Sequence, residues 1–205
     1  MKQLLPLLGI AALALAGCTT ERETSPPRTA TEQLLISTAA DRAAQQVSLT
    51  VPKGAKLFVD SSNFEGTDAK YAIGALREQL LKGGGRLVAE RKDADYVVEI
   101  RSGALSIDED SILVGIPKMQ IPIPLAGSFS FPEIALFKKE QRKGVAKFAA
   151  AGYGAKDGQF ADASAPRYGF SHETEWVVLL FISWKTDDIL PEDAREPIVD
   201  IMPAK

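Results

Sequence analysis

Apolar positions along the chain fall into blocks of different period, and each block predicts an element. Leu4 to Ala16 is an unbroken apolar run of 13 residues behind Lys2, and a polar, proline-bearing stretch, 19–28, follows it. Thr29-Ala30-Thr31-Glu32 fits a capping box, in which a Thr side chain and a Glu three residues on satisfy free backbone N–H groups. Ile36, Ala40, Ala43 and Val47 then recur at helical spacing and predict a helix to about Val47, closed off by the turn Pro52-Lys53-Gly54. Lys56 to Asp60 predicts a short strand. Ala69, Ala72, Ile73, Leu76 and Leu80 form the stripe of a second helix, capped at Thr67-Asp68 and stopped by Gly83-Gly84-Gly85. Arg86 to Glu90 predicts a second strand. Ala94 to Ile107 predicts a third, long one, half exposed along Val97, Glu99 and Arg101, and Asp108-Glu109-Asp110 is expected to be a solvated turn after it.

The pattern changes at 113–132, where Pro117, Pro122, Pro124 and Pro132 interleave with Ile116, Ile121, Ile123, Leu125, Phe129 and Phe131. Proline removes ladder donors, so Ile121 to Leu125 is expected as an edge strand or an extended flap, not a central strand. Gly144 to Tyr153 predicts a strand, 155–158 a turn and 160–164 a weak returning strand. Glu175 to Lys185 is the most apolar segment beyond the N-terminal run, and its β-branched and aromatic content predicts one buried strand in preference to a helix. From Thr186 the chain is acidic and carries Pro191, Pro197 and Pro203, which predicts a peripheral tail over 191–205. There is no internal repeat. The expected fold is α/β (α+β): a mixed β-sheet with one or two helices packed on one face and a Pro-rich extended flap, in a single domain over 29–190.

Candidate chemistry is sparse. The glycine triplet 83–85 follows a helix and precedes a strand, the reverse of a phosphate cradle, so it is a helix stop. His172 is the chain's one histidine. Its neighbours Ser171 and Glu173 point to the opposite face of an extended segment, which leaves no triad and no ligand-spaced pair for a metal. Asp108 to Asp110 lacks the loop that holds calcium, and Asp93-Ala94-Asp95 opens a strand. Lys138, Lys139, Arg142 and Lys143 form a basic cluster, expected as a solvated face. No cofactor is implied. The best candidate interaction strip is Ile116, Ile121, Ile123, Leu125, Phe129 and Phe131; it either folds over its own sheet, meets a partner or a second copy, or touches a membrane.

Charge and cysteine usage narrow the setting. The formal charge of −3 over 205 residues argues against a nucleic-acid partner. Cys18 is the sole cysteine, so no disulfide can form within one chain. Leu15-Ala16-Gly17-Cys18 closes the N-terminal run, and Lys2 precedes it. This arrangement resembles a bacterial lipoprotein lipobox, with an ordinary secretory signal or a buried helix as the alternatives. The resemblance implies cleavage before Cys18, recognition of Leu15, Ala16 and Gly17 by the signal peptidase, lipidation of Cys18, and a tether over 18–28. Removing residues 1–17 leaves 188 residues and, with Lys2 gone, a charge of −4. The run is too short to cross roughly 30 Å of hydrocarbon as a mature helix. Thr19, in place of the aspartate that retains lipoproteins at the inner membrane, implies by the same resemblance an outer-membrane location.

Leu57-Phe58-Val59-Asp60-Ser61-Ser62-Asn63-Phe64, the helix ending Leu76-Arg77-Glu78-Gln79-Leu80-Leu81, Arg86 to Arg91 and Ala94-Asp95-Tyr96-Val97-Val98 together resemble a domain of envelope lipoproteins. Similar layouts occur in curli-secretion-channel lipoproteins, flagellar outer-membrane lipoproteins and the N-terminal domain of the Tol-system β-propeller protein, over about residues 55–105. The whole chain, including 30–35 and Trp176-Val177-Val178-Leu179-Leu180, resembles an uncharacterised bacterial lipoprotein family. These resemblances imply a non-enzymatic, periplasm-facing assembly or adaptor subunit, held to the membrane through lipidated Cys18, with an envelope protein or further copies of itself as partner. The alternatives are a self-assembling ring or secretion-channel component, for which the sequence offers no alternating amphipathic strand pair, and an envelope hydrolase using His172.

Overall fold

The computed structural model describes residues 27–123, 127–191 and 194. Helix α1 (Ala30–Ala44) starts where local chemistry sets it. Thr29 Oγ1 accepts from the Glu32 N–H at 3.2 Å, and the Glu32 carboxylate accepts from the Thr29 N–H at 3.0 Å. The helix buries Leu35, Ile36, Ala39, Ala40, Ala43 and Ala44, and Val47 is buried just beyond its end.

Strand β1 (Lys56–Asp60), helix α2 (Ala69–Lys82) and strand β2 (Arg86–Leu87) follow, and β1 pairs in parallel with β2 and with the start of β3 (Tyr96–Ile116). Helix α2 buries Ala72, Leu76 and Leu80. Its cap differs from expectation. Asp68 sits at φ +59 and makes no capping bond, because its carboxylate takes the Arg28 guanidinium at 2.9 and 3.0 Å. Gly84, at φ +93, supplies the left-handed residue that ends the helix. The second strand is two residues long, shorter than its apolar run suggested, because β1 offers it only two register partners.

The remainder is a long antiparallel meander. The sheet order is β2-β1-β3-β6-β7-β8, with β6 (Ile134–Gly154), β7 (Phe160–Val178) and β8 (Ile182–Asp187). The fold is therefore mixed α/β, dominated by strands, with two helices. Both helices contribute to one core with Leu57, Val59, Val98, Ile100, Leu105, Ala146, Phe148 and Ala150. Helix α1 lies very close to the sheet over Gly144 and Gly169, and the Ser171 hydroxyl donates to the Leu35 carbonyl at 2.6 Å.

Two strand assignments change. Asp108-Glu109-Asp110 is mid-strand in β3, not a turn, because Lys143, Arg142 and Gln141 of β6 stand opposite it and cross-strand partners offset the charge. The basic cluster lies inside β6 and alternates between faces. Glu175 to Lys185 is a hairpin, not one buried strand: β7 ends at Val178, β8 begins at Ile182, and the segment between is exposed. The proline-bearing stretch pairs with itself as β4 (Met119–Ile123) and β5 (Gly127–Phe131), with Pro122 opposite Ser128, as edge strands, and none of its described residues joins the core cluster. The expected signal peptide and nearly all of the expected tether and tail lie outside the described residues.

Candidate functional site

Arg28 and Glu32, at the start of α1, line a cavity of about 320 Å³ with Ser106, Glu109 and Arg142. Beyond that level β3, β6, β7 and β8 continue without a helix over them, as a four-stranded arm. Side chains alternate between the faces of a strand, so the pairing register sorts the arm into two surfaces. The helix side is ionic. Arg142 reaches Glu140 at 2.6 Å, Glu173 at 3.4 Å and Glu109 at 3.7 Å. Lys138 bridges Glu133 and Glu140, and Lys185 reaches Glu175 at 3.5 Å. The hydrogen bond with Glu133 holds the Lys138 ammonium above its ordinary range despite some burial.

The opposite face is aromatic and aliphatic. Trp176 and Trp184 face each other across β7 and β8 and stack at 5.8 Å, and Phe137 meets Trp176 edge-on at 6.1 Å. Lys139, Lys143 and Lys147 of β6 lie over the rings of Trp176, Phe170 and Tyr168 at 5.0, 4.4 and 5.3 Å. Each such contact contributes about 0.5–1 kcal/mol at an exposed site. Ile112 and Val114 of β3 stand level with Lys139 and Phe137, and Ile182 stands opposite Val178. Ile112, Val114, Phe137, Trp176 and Trp184 thus share one face of the arm, with Lys139 among them.

At the far end the apolar character spreads to the turns. Leu179, Leu180 and Phe181, which join β7 to β8, are 52%, 54% and 72% exposed. Leu179 and Leu180 also sit at φ +51 and +72, a region that costs a residue with a Cβ roughly 1–2 kcal/mol. A turn made only to reverse the chain would carry Asn-Gly there. Replacing Leu179→Asn and Leu180→Gly together is therefore expected to raise stability by about 1–2 kcal/mol. Urea unfolding checks this, and an unchanged or lowered midpoint would contradict it.

The β4–β5 pair, which lies between β3 and β6 in the chain, carries the sequence-predicted strip. Ile121 stands opposite Phe129, and Phe131 opposite Met119, which places them on one face with Gln120, Pro122, Ser128 and Ser130 on the other. Ile121, Phe129 and Ile116 are exposed, and Ile116 ends β3 opposite Ile134. Ile123 pairs through its backbone opposite Gly127. Leu125, like Leu15, Ala16, Gly17 and Cys18, lies outside the described residues. Sequence reasoning missed Ile112, Val114, Trp176, Leu179, Leu180, Phe181 and Trp184. The near-mirror order of apolar residues about Leu180 was the signal available for the hairpin.

His172 is on the aromatic side of β7, with Ser171 and Glu173 on the other. Its side chain is 44% exposed, and Nδ1 lies 3.3 Å from the Asp188 carboxylate. Burial pushes that carboxyl up, but the His172 backbone N–H and Arg42 outweigh it and hold Asp188 below the ordinary aspartate range. A cavity of about 730 Å³, lined by Gln33, Ser37, Asp68 and Tyr71 among others, lies at the N-terminal ends of the two helices, away from His172. Among the described residues no group of three His, Cys, Asp or Glu side chains could hold a metal ion, and no helix is long and apolar enough to cross a membrane.

Compared with known sequences, residues 12–161 match a family described only as of unknown function, DUF6655. No curated protein matches the chain.

Proposed function

We propose that this chain, which belongs to DUF6655, a family of unknown function, is a lipid-anchored envelope protein, a reading supported by the resemblance of Leu15-Ala16-Gly17-Cys18 to a lipobox. It is a non-enzymatic, periplasm-facing assembly or adaptor subunit at the outer membrane, lipidated at Cys18 after cleavage behind Leu15-Ala16-Gly17. The observation that carries this reading is the arm: four strands run beyond the helices that cover their base, and the turn at Leu179 to Phe181 and the strands β4 and β5 carry exposed apolar side chains. Monomeric proteins rarely leave such a surface uncovered without a binding role. The division of Ser171, His172 and Glu173 between opposite faces supports binding over hydrolysis.

A second reading, a self-assembling ring or secretion-channel component, is favoured by one observation. Past Glu99, β3 has β6 on one side and no described strand on the other, and β8 forms the opposite edge. The two edges run antiparallel, so β8 of one copy could continue the sheet into β3 of the next, a head-to-tail contact that closes into a ring. Native mass of the protein, captured in mild detergent from its own membranes, separates the two. The adaptor reading expects a stoichiometric foreign protein; one large symmetric homo-oligomer would replace it with the ring, and a bare monomer would contradict both.

A further inference from the structure

The chain enters its fold beside the root of the arm. Arg28 lies with Glu109 and Arg142 around one cavity, and α1 runs from there toward the base of the sheet: Leu35 meets Ser171, and Arg42 reaches the Phe170 carbonyl. From the Glu173 level to Val178 the arm continues about 17 Å toward its apolar turn, at about 3.3 Å per residue. Arg28 is ten residue steps from Cys18, and an extended segment of that length reaches about 33–36 Å. The anchor therefore attaches at the arm's root, on the side from which the arm projects, with enough chain to lie level with the tip. At that tip Leu179, Leu180 and Phe181 lie beyond stacked Trp176 and Trp184, with Lys139 over the Trp176 ring. Apolar side chains at the turn, with amphipathic indoles and an ammonium group level with one another behind them, is a combination suited to a membrane–water interface.

We infer that the apolar end of the arm inserts into the same leaflet that holds the acyl chains of Cys18, so that the protein meets its membrane at two points and its orientation is fixed. The inference rests on the lipid-anchor reading of Cys18 and names the lipid surface as the occupant of the arm's tip. Contact is made through Leu179, Leu180 and Phe181, which are more than half exposed. Two fixed points hold the ionic face and the α1 side at a set height above the lipid, where a single tether would let the domain tumble.

Both tryptophans of the chain are in the arm, so tryptophan emission, excited selectively over tyrosine, reports on it alone. The full lipidated protein is reconstituted into vesicles of phosphatidylethanolamine and phosphatidylglycerol, with and without acyl-brominated lipid, and floated. The expected result is co-flotation, a blue-shifted emission and loss of most of it to bromine, little altered by salt. The variant Leu179→Asn with Leu180→Gly keeps the fold and the anchor, and should float equally while regaining its emission. Removing two buried leucines weakens insertion by about a hundredfold. Failure to float would sink the anchor reading itself. Flotation without bromine quenching overturns the insertion alone, and a blue shift that then grows with protein density would assign the tip to a second copy.

Discussion

Gly169→Ala is expected to destabilise the fold by about 3 kcal/mol, the upper range for overpacking a core. A methyl group at Gly169 would occupy the space of the Ala39 carbonyl oxygen and crowd the Ala43 nitrogen, both backbone atoms of α1 that cannot swing aside. Helix α1 would have to lift off β6 and β7. Doing so would break the Ser171–Leu35 bond and open the contact around buried Ala39, Ala40 and Ala43. Gly152→Ala in β6 is the matched control. Its added methyl meets only the Asp162 carbonyl at 3.7 Å, so a change within about 0.5 kcal/mol is expected. Urea unfolding of the two variants decides the matter; equal stability would mean that α1 does not rest on Gly169.

Cys18→Ser is expected to move the protein from the membrane fraction to the soluble one almost completely. Each acyl CH₂ buried in lipid contributes about 0.8 kcal/mol, and two or more chains make release slow. The arm alone offers a few side chains, which gives a contact that dilution reverses. Washed membranes that still retain the variant would contradict anchoring at this residue.

Elements set by local chemistry were legible in the sequence. Thr29 and Glu32 need only each other to start α1, and the stripe from Ala72 to Leu80 specifies its own helix. The arm was not legible, because its strands are held by residues far away in sequence. Asp108 to Asp110 has the composition of a turn until Arg142 and Lys143 stand opposite. Lys139 breaks the alternation of β6 until Trp176 lies beneath it. Leu179 and Leu180 conceal a turn that small or polar residues would have announced. Of the candidate site, Ile121, Phe129 and Phe131 were singled out as a strip because prolines bar that stretch from a central strand, but whether it covers the sheet or stands exposed was not legible; Ile121 and Phe129 are exposed. Gly169 carries no local signature either: its lack of a side chain matters only once α1 packs on it.

The most direct measurement is the intact mass of the protein extracted from its own membranes, with fragmentation of its N-terminal peptide. The expected result is a chain that begins at Cys18 and carries a diacylglyceryl thioether and an amide-linked acyl chain. A chain that keeps residues 1–17, or a Cys18 with a free thiol, would contradict the lipid anchor and, with it, the placement of the arm against the membrane.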